Sequence, residues 1–142
     1  MEEKIANIKK LVVVEDDADD QYFLQSAFKE IGFDNHVLFL DSAKKLFDYL
    51  EKEEAAKAYP HAILVDFNMP VMNGEETLTK IKENKNYSGI QILIYSTTIS
   101  DTQVKTLKNL GAEGCYTKSF STSAIVDFAK LVQQKIIDAP LP

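Results

Sequence analysis

Cysteine is nearly missing: Cys115 is the one thiol in 142 residues, so no intrachain disulfide can form and a reducing compartment is expected. Positive charge is in deficit, with 16 basic against 22 acidic residues and a net charge of -6. Nucleic acid and anionic membrane both need a positive footprint, so neither is an expected partner. No apolar run approaches the roughly 18 residues that span a bilayer. The opening MEEKIANIKK carries charges without the apolar block of a signal peptide. Linkers and low-complexity blocks are lacking too. So are a P-loop and a G-x-G-x-x-G motif, which argues against a nucleotide-binding protein. What remains is a cytoplasmic single domain, long enough to bury a core, with no second domain after Ile137.

Five short apolar runs rich in branched residues are present: LVVV (11–14), HVLFL (36–40), AILVD (62–66), IQILIY (90–95) and GCYT (114–117). The segments between them have helical periodicity. Phe23, Leu24, Ala27, Phe28 and Ile31 share one helical face. So do Leu46, Phe47 and Leu50, then Leu78 and Ile81, then Val104 and Leu107, then Ile125, Phe128, Ala129, Val132 and Ile136. Strands alternating with helices predict βαβ units and a parallel sheet covered on both faces. Gly32, Gly89 and Gly111 fall at expected helix ends or loops, Asp41-Ser42 caps the second helix, and Ser121 to Ser123 cap the last. EKEEAAKAY (51–59) is expected to prolong the second helix with a solvated face, and the prolines of DAPLP to end the last one.

In an open parallel α/β sheet, ligands gather at the carboxyl ends of the strands, near the reversal of strand order. The first strand ends in EDDADD, which puts Glu15 and Asp16 at its tip, and the third ends in Asp66. If these strands are neighbours, as in the order 2-1-3-4-5, three carboxylates converge and repel one another. A hard divalent cation removes that repulsion, and Mg²⁺ suits carboxylates, waters and a phosphoryl oxygen. Asp17, Asp19 and Asp20 read instead as acids favoured by the helix N-terminus. An EF-hand reading of the segment fails because its sixth position is Gln21, not glycine. Ser96 and Lys118 come at the ends of the fourth and fifth strands, where a hydroxyl and an ammonium suit phosphoryl oxygens. His36 and His61, at strand starts away from this rim, read as structural.

VVVEDD, LVDFNMPVMNG, LIYST and YTKSF, in that order and at these separations, resemble the receiver domain of bacterial two-component response regulators. The D-x-x-M-P-x-x-x-G pattern from Asp66 to Gly74 carries most of the resemblance. It implies a flavodoxin-like (βα)₅ fold in the order 2-1-3-4-5 and one receiver domain over residues 1–142, core about 8–138, without an output domain. It also implies a stand-alone, chemotaxis-regulator-like protein phosphorylated on Asp66 by a histidine kinase or histidine phosphotransfer protein. By the same resemblance Glu15, Asp16, Asp66 and the backbone carbonyl of Asn68 hold Mg²⁺ (or Mn²⁺). Ser96 takes the switch position and Lys118 that of the family's lysine. The expected consequence is a changed surface on the fourth helix, fifth strand and fifth helix, read by a downstream target or passed on in a relay. Such a chain catalyses only its own phosphorylation and dephosphorylation.

The chain departs from that family pattern in three places. An aromatic switch is common where Cys115 stands, so Tyr116 or Tyr95 is a candidate substitute, or the thiol is simply a small buried hydrophobe. The lysine is usually followed by a cis proline, whereas Ser119 follows Lys118. Either the site holds a cis bond costing roughly 2.5–4 kcal/mol, or the peptide is trans and Lys118 reaches the site differently. Thr97 is bulkier than usual beside Ser96, while Thr98 and Asn68 are expected to set the phosphoryl lifetime. Two rival readings remain: a pseudo-receiver acting without phosphorylation, and an aspartyl-nucleophile phosphatase. The phosphatase needs an acid two residues after Asp66, and Asn68 cannot donate that proton.

Overall fold

The computed structural model describes residues 10–56 and 58–138. Ten elements alternate: β1 (Leu11–Val14), α1 (Ala18–Glu30), β2 (Val37–Leu40), α2 (Ala43–Ala56), β3 (Ala62–Asp66), α3 (Gly74–Glu83), β4 (Gln91–Ser96), α4 (Asp101–Asn109), β5 (Gly114–Thr117) and α5 (Thr122–Asp138). All strands pair in parallel, in the order β2-β1-β3-β4-β5. This is the flavodoxin-like arrangement, and β1 and β3 are neighbours, so the acids at their tips share one edge.

Sidedness follows from the alternation of side chains along each strand. Val12, Val14, Ile63, Val65, Ile92 and Ile94 pack against Leu46, Leu50, Leu78, Ile81 and Leu107 of α2, α3 and α4. Leu11, Val13, Leu64, Leu93 and Tyr95 pack against Leu24, Phe28, Ala129, Val132 and Ile136 of α1 and α5. The central strands are buried on both faces, which is why they are apolar without alternation. Each fully buried Leu or Ile contributes about 1.5–3 kcal/mol, so the sheet forms a stiff platform for the loops at its carboxyl edge.

Helix starts are fixed by local chemistry. Asn73 and Glu76 form a reciprocal capping box at α3, and Ser100 and Gln103 form another at α4. Ser42 Oγ accepts from the Lys45 amide, and Ser121 Oγ from the Ala124 amide, as expected for caps of α2 and α5. Gly32 and Gly111 end helices with φ of 73° and 110°, in the left-handed region.

Four expectations need correction. Phe23 is 52% exposed because it lies off the stripe formed by Leu24, Ala27 and Phe28. The second helix is described over Ala43–Ala56 and does not include Ala58 and Tyr59; Lys57 lies outside the described residues, as does the DAPLP tail from Ala139. His36 belongs to a 3-10 turn and not to β2. The fourth strand runs from Gln91 to Ser96, so Ser96 closes the strand where it was expected just beyond it. Among the described residues no helix is long and apolar enough to cross a membrane.

Candidate functional site

Four strand tips meet at the carboxyl edge of the sheet. At the tip of β1 the Glu15 amide donates to Leu40 O at 2.9 Å, which extends the β1–β2 ladder and fixes Glu15 at the strand end. Glu15 is fully buried, whereas Asp16 faces solvent. Asp66 ends β3 and is only 3% exposed. Carboxylate oxygens of Glu15, Asp16 and Asp66 all lie within 4.8 Å of one another. Three anions this close are stable together only with compensating charge. An all-oxygen donor set fits a hard divalent cation such as Mg²⁺ or Mn²⁺ better than a soft one.

The loop after Asp66 folds back on itself. The Asn68 amide donates to Asp66 Oδ1 at 3.0 Å, and the Gly74 amide to Phe67 O at 2.9 Å. A Cβ at Gly74 would stand 2.7 Å from Phe67 Cα and 3.0 Å from Asp66 O, so no side chain fits there. Val71, at the loop's apex, is fully exposed with φ of 68°, a conformation strained for a β-branched residue. Ser96, fully buried, accepts from Asn68 Nδ2 at 2.8 Å and donates to Thr98 O at 2.8 Å.

Lys118 enters from β5. No peptide bond among the described residues is cis, so Lys118–Ser119 is trans. The lysine reaches the site all the same, its amide anchored to Ser96 O at 2.7 Å. Its Nζ lies 2.7 Å from Glu15 Oε1, 2.9 Å from Asp20 Oδ2 and 3.3 Å from Asp66 Oδ2. The Tyr95 ring lies beneath it at 4.8 Å, and the Tyr95 hydroxyl donates to Glu15 Oε1 at 2.7 Å.

Charge and burial perturb these groups in linked ways. Burial, with Asp66 alongside, pushes the Glu15 carboxyl up, against the pull of Lys118 and Tyr95. Burial alone would lower Lys118, but its bonds to Glu15 and Asp20 and the charge of Asp66 outweigh that and raise it. Burial and the Glu15 charge push the Tyr95 phenol far above its ordinary range, so it remains a donor.

Every residue named from the sequence therefore lies at this edge: Glu15, Asp16, Asp66, Asn68, Ser96 and Lys118. Two participants were missed there. Asp20 was assigned to the helix terminus alone, although it lies in the first turn of α1, directly after the acidic tip that carries Glu15 and Asp16. Tyr95 was considered only as a substitute switch, yet strand alternation sends it to the face opposite Ser96. Cys115 packs on the α4 side of the sheet, while Tyr116 and Tyr95 both pack against Phe128 on the α1/α5 side.

The family model described as response regulator receiver domain matches residues 11–130. The chain belongs to that family. This receiver domain is 28% identical over 116 residues to a chemotaxis protein CheY homolog of Campylobacter jejuni, covering 82% of this chain and 85% of that one. It is 27% identical over 96 residues to a probable methanogenesis regulatory protein, FilR2, of Methanothrix harundinacea. That match covers 67% of this chain and 62% of the relative, so the chain spans less than two thirds of it. Among solved structures, the phosphorylated cyanobacterial phytochrome response regulator RcpA superposes with a TM-score of 0.82 at 27% identity, covering 94% of this chain and 98% of that one. Receiver domains are in general non-enzymatic signalling modules of two-component systems. They bind a divalent metal through an acidic cluster and interact with histidine kinases or phosphotransfer proteins and with downstream targets.

Proposed function

We propose that this receiver domain accepts a phosphoryl group on Asp66 from a phosphohistidine donor, a histidine kinase or phosphotransfer protein, in the cytoplasm. The observation that carries the reading is the placement of Lys118 Nζ 3.3 Å from Asp66 Oδ2, beside three carboxylates whose oxygens lie within 4.8 Å. A phosphoryl group on Asp66 would find an ammonium and a cation site already facing it. Glu15, Asp16, Asp66 and the Asn68 carbonyl would hold Mg²⁺ or Mn²⁺. When bound, the ion neutralises charge on the phosphoryl oxygens.

The chain's own groups do the rest. An Asp66 oxygen attacks phosphorus in line, an O–P bond forms as the donor's N–P bond breaks, and the imidazole departs. Lys118 balances charge on the equatorial oxygens. Ser96 gives up its bond to Thr98 O to donate to the phosphoryl group, pulling the 97–100 loop and the start of α4. That motion biases a two-state equilibrium and alters the α4–β5–α5 surface for a target protein or a further relay step. Asn68 and Thr98 flank the acyl phosphate and govern the approach of hydrolytic water. The test is uptake of label from acetyl phosphate with Mg²⁺: Asp66→Asn should abolish it, and uptake by that variant at the wild-type rate refutes the reading.

A further inference from the structure

Lys118 has three anionic neighbours, and the longest contact is the one to the proposed phospho-acceptor. Glu15 Oε1 stands at 2.7 Å, Asp20 Oδ2 at 2.9 Å and Asp66 Oδ2 at 3.3 Å. An ammonium has three N–H donors. Two of them are engaged at full hydrogen-bonding distance by Glu15, just past β1, and Asp20 of α1, which leaves only the long contact for Asp66. The partners also differ in their access to water. The Glu15 side chain is 0% exposed, that of Asp20 36% and that of Lys118 10%. If the ammonium leaves, Asp20 is rehydrated at once, whereas fully buried Glu15 keeps only its bonds from the Tyr95 hydroxyl and the Asp17 amide and gains no water in exchange. Asp20 is therefore the partner that Lys118 can release.

We propose that Asp20 is a positioning residue that holds the Lys118 ammonium back from Asp66, and so sets how strongly an anionic group on Asp66 is bound. The inference rests on the reading of Asp66 as phospho-acceptor. Negative charge added at Asp66 draws Lys118 inward, and that attraction competes with the Asp20–Lys118 pair. Removing the Asp20 carboxylate removes the competitor. The same substitution takes one negative charge from the edge of the metal cluster, so it does not improve binding of the cation itself. The two affinities separate: the phosphoryl mimic is held more tightly, while the metal is held equally or less tightly. A general loosening of the fold would weaken both.

The experiment titrates the full chain with Mg²⁺ alone, and then with beryllofluoride at saturating Mg²⁺, by calorimetry. Wild type is compared with Asp20→Asn, Asp20→Ala and Asp19→Asn. The last removes the same charge from the same helical turn without touching Lys118. Both Asp20 variants should bind beryllofluoride about three-fold more tightly than wild type, the scale of a partly exposed ion pair, with Mg²⁺ affinity unchanged or lower. Asp19→Asn should follow wild type. Unchanged or weaker beryllofluoride binding in the Asp20 variants overturns the inference, as does an equal gain in Asp19→Asn, which would make the effect one of bulk charge. If wild type itself takes up no beryllofluoride, the phospho-acceptor reading falls and this inference with it, an outcome distinct from the first two.

Discussion

Replacing Tyr95 by Phe isolates one hydrogen bond at the bottom of the site. The hydroxyl donates at 2.7 Å to Glu15 Oε1, and Glu15 is 0% exposed, so water cannot take its place. The Phe ring keeps the stacking on Phe128, at 6.0 Å and 15°, and the apolar contact under Lys118. What is lost is a hydrogen bond to a buried charged acceptor, worth about 1.5–3 kcal/mol. At neutral pH without metal, urea denaturation should show a loss of about 2 kcal/mol, or about 6 °C in Tm for a domain of this size. The loss should depend on pH. Burial and Asp66 raise the Glu15 carboxyl above 4.5 in the folded state, while Tyr95 opposes that rise. A raised acid binds more protons folded than unfolded, so its contribution to stability falls as pH climbs from about 4.5 through the folded value. Without the hydroxyl the folded value climbs further. The penalty is therefore full above it and shrinks to about 1 kcal/mol near pH 4, where Glu15 is neutral in both proteins. Melts in a chelating buffer at the two pH values measure the difference. A penalty below about 0.5 kcal/mol at neutral pH, or one of equal size at both, would refute the reasoning.

Two substitutions, one in the loop after Asp66 and one at the first residue of α3, should act in opposite directions. Val71→Asn relieves a β-branched residue at φ 68° that makes no buried contact; urea midpoints should show a gain of about 1 kcal/mol. Gly74→Ala forces a Cβ to within 2.7 Å of Phe67 Cα, backbone that cannot step aside. It should cost about 2–4 kcal/mol by the same assay and, by displacing Asp66, should also abolish label uptake from acetyl phosphate in protein that remains folded.

The sheet and its acids were legible because both depend on short-range patterns. Apolar runs of four to six residues end on Glu15, Asp66 and Ser96, and a parallel sheet collects such ends on one edge. Phe23 misled because periodicity alone does not decide the margin of an apolar stripe, and a large ring there was counted as core. EKEEAAKAY has helical composition up to Tyr59, but the chain must turn toward β3 at Pro60, and that tertiary demand keeps Ala58 and Tyr59 out of the helix. Asp20 was illegible as a lysine partner because the pair is separated by 98 residues and depends on where β5 delivers its side chain. Tyr95 was read as a candidate switch because its bond to Glu15 joins residues 80 apart in sequence. The trans peptide at Lys118 could not be foreseen, since reach depends on the backbone anchor at Ser96 O.

The hydroxyl of Ser96 has a single proton, and it is already committed to Thr98 O while Asn68 occupies a lone pair. Any rearrangement there trades one satisfied set of bonds for another instead of adding to the total. The free-energy gap between the two arrangements is then a difference of like quantities, on the order of 1 kcal/mol. On the proposed reading the acceptor that replaces Thr98 O is the phosphoryl group itself, so this exchange opens only once Asp66 carries it.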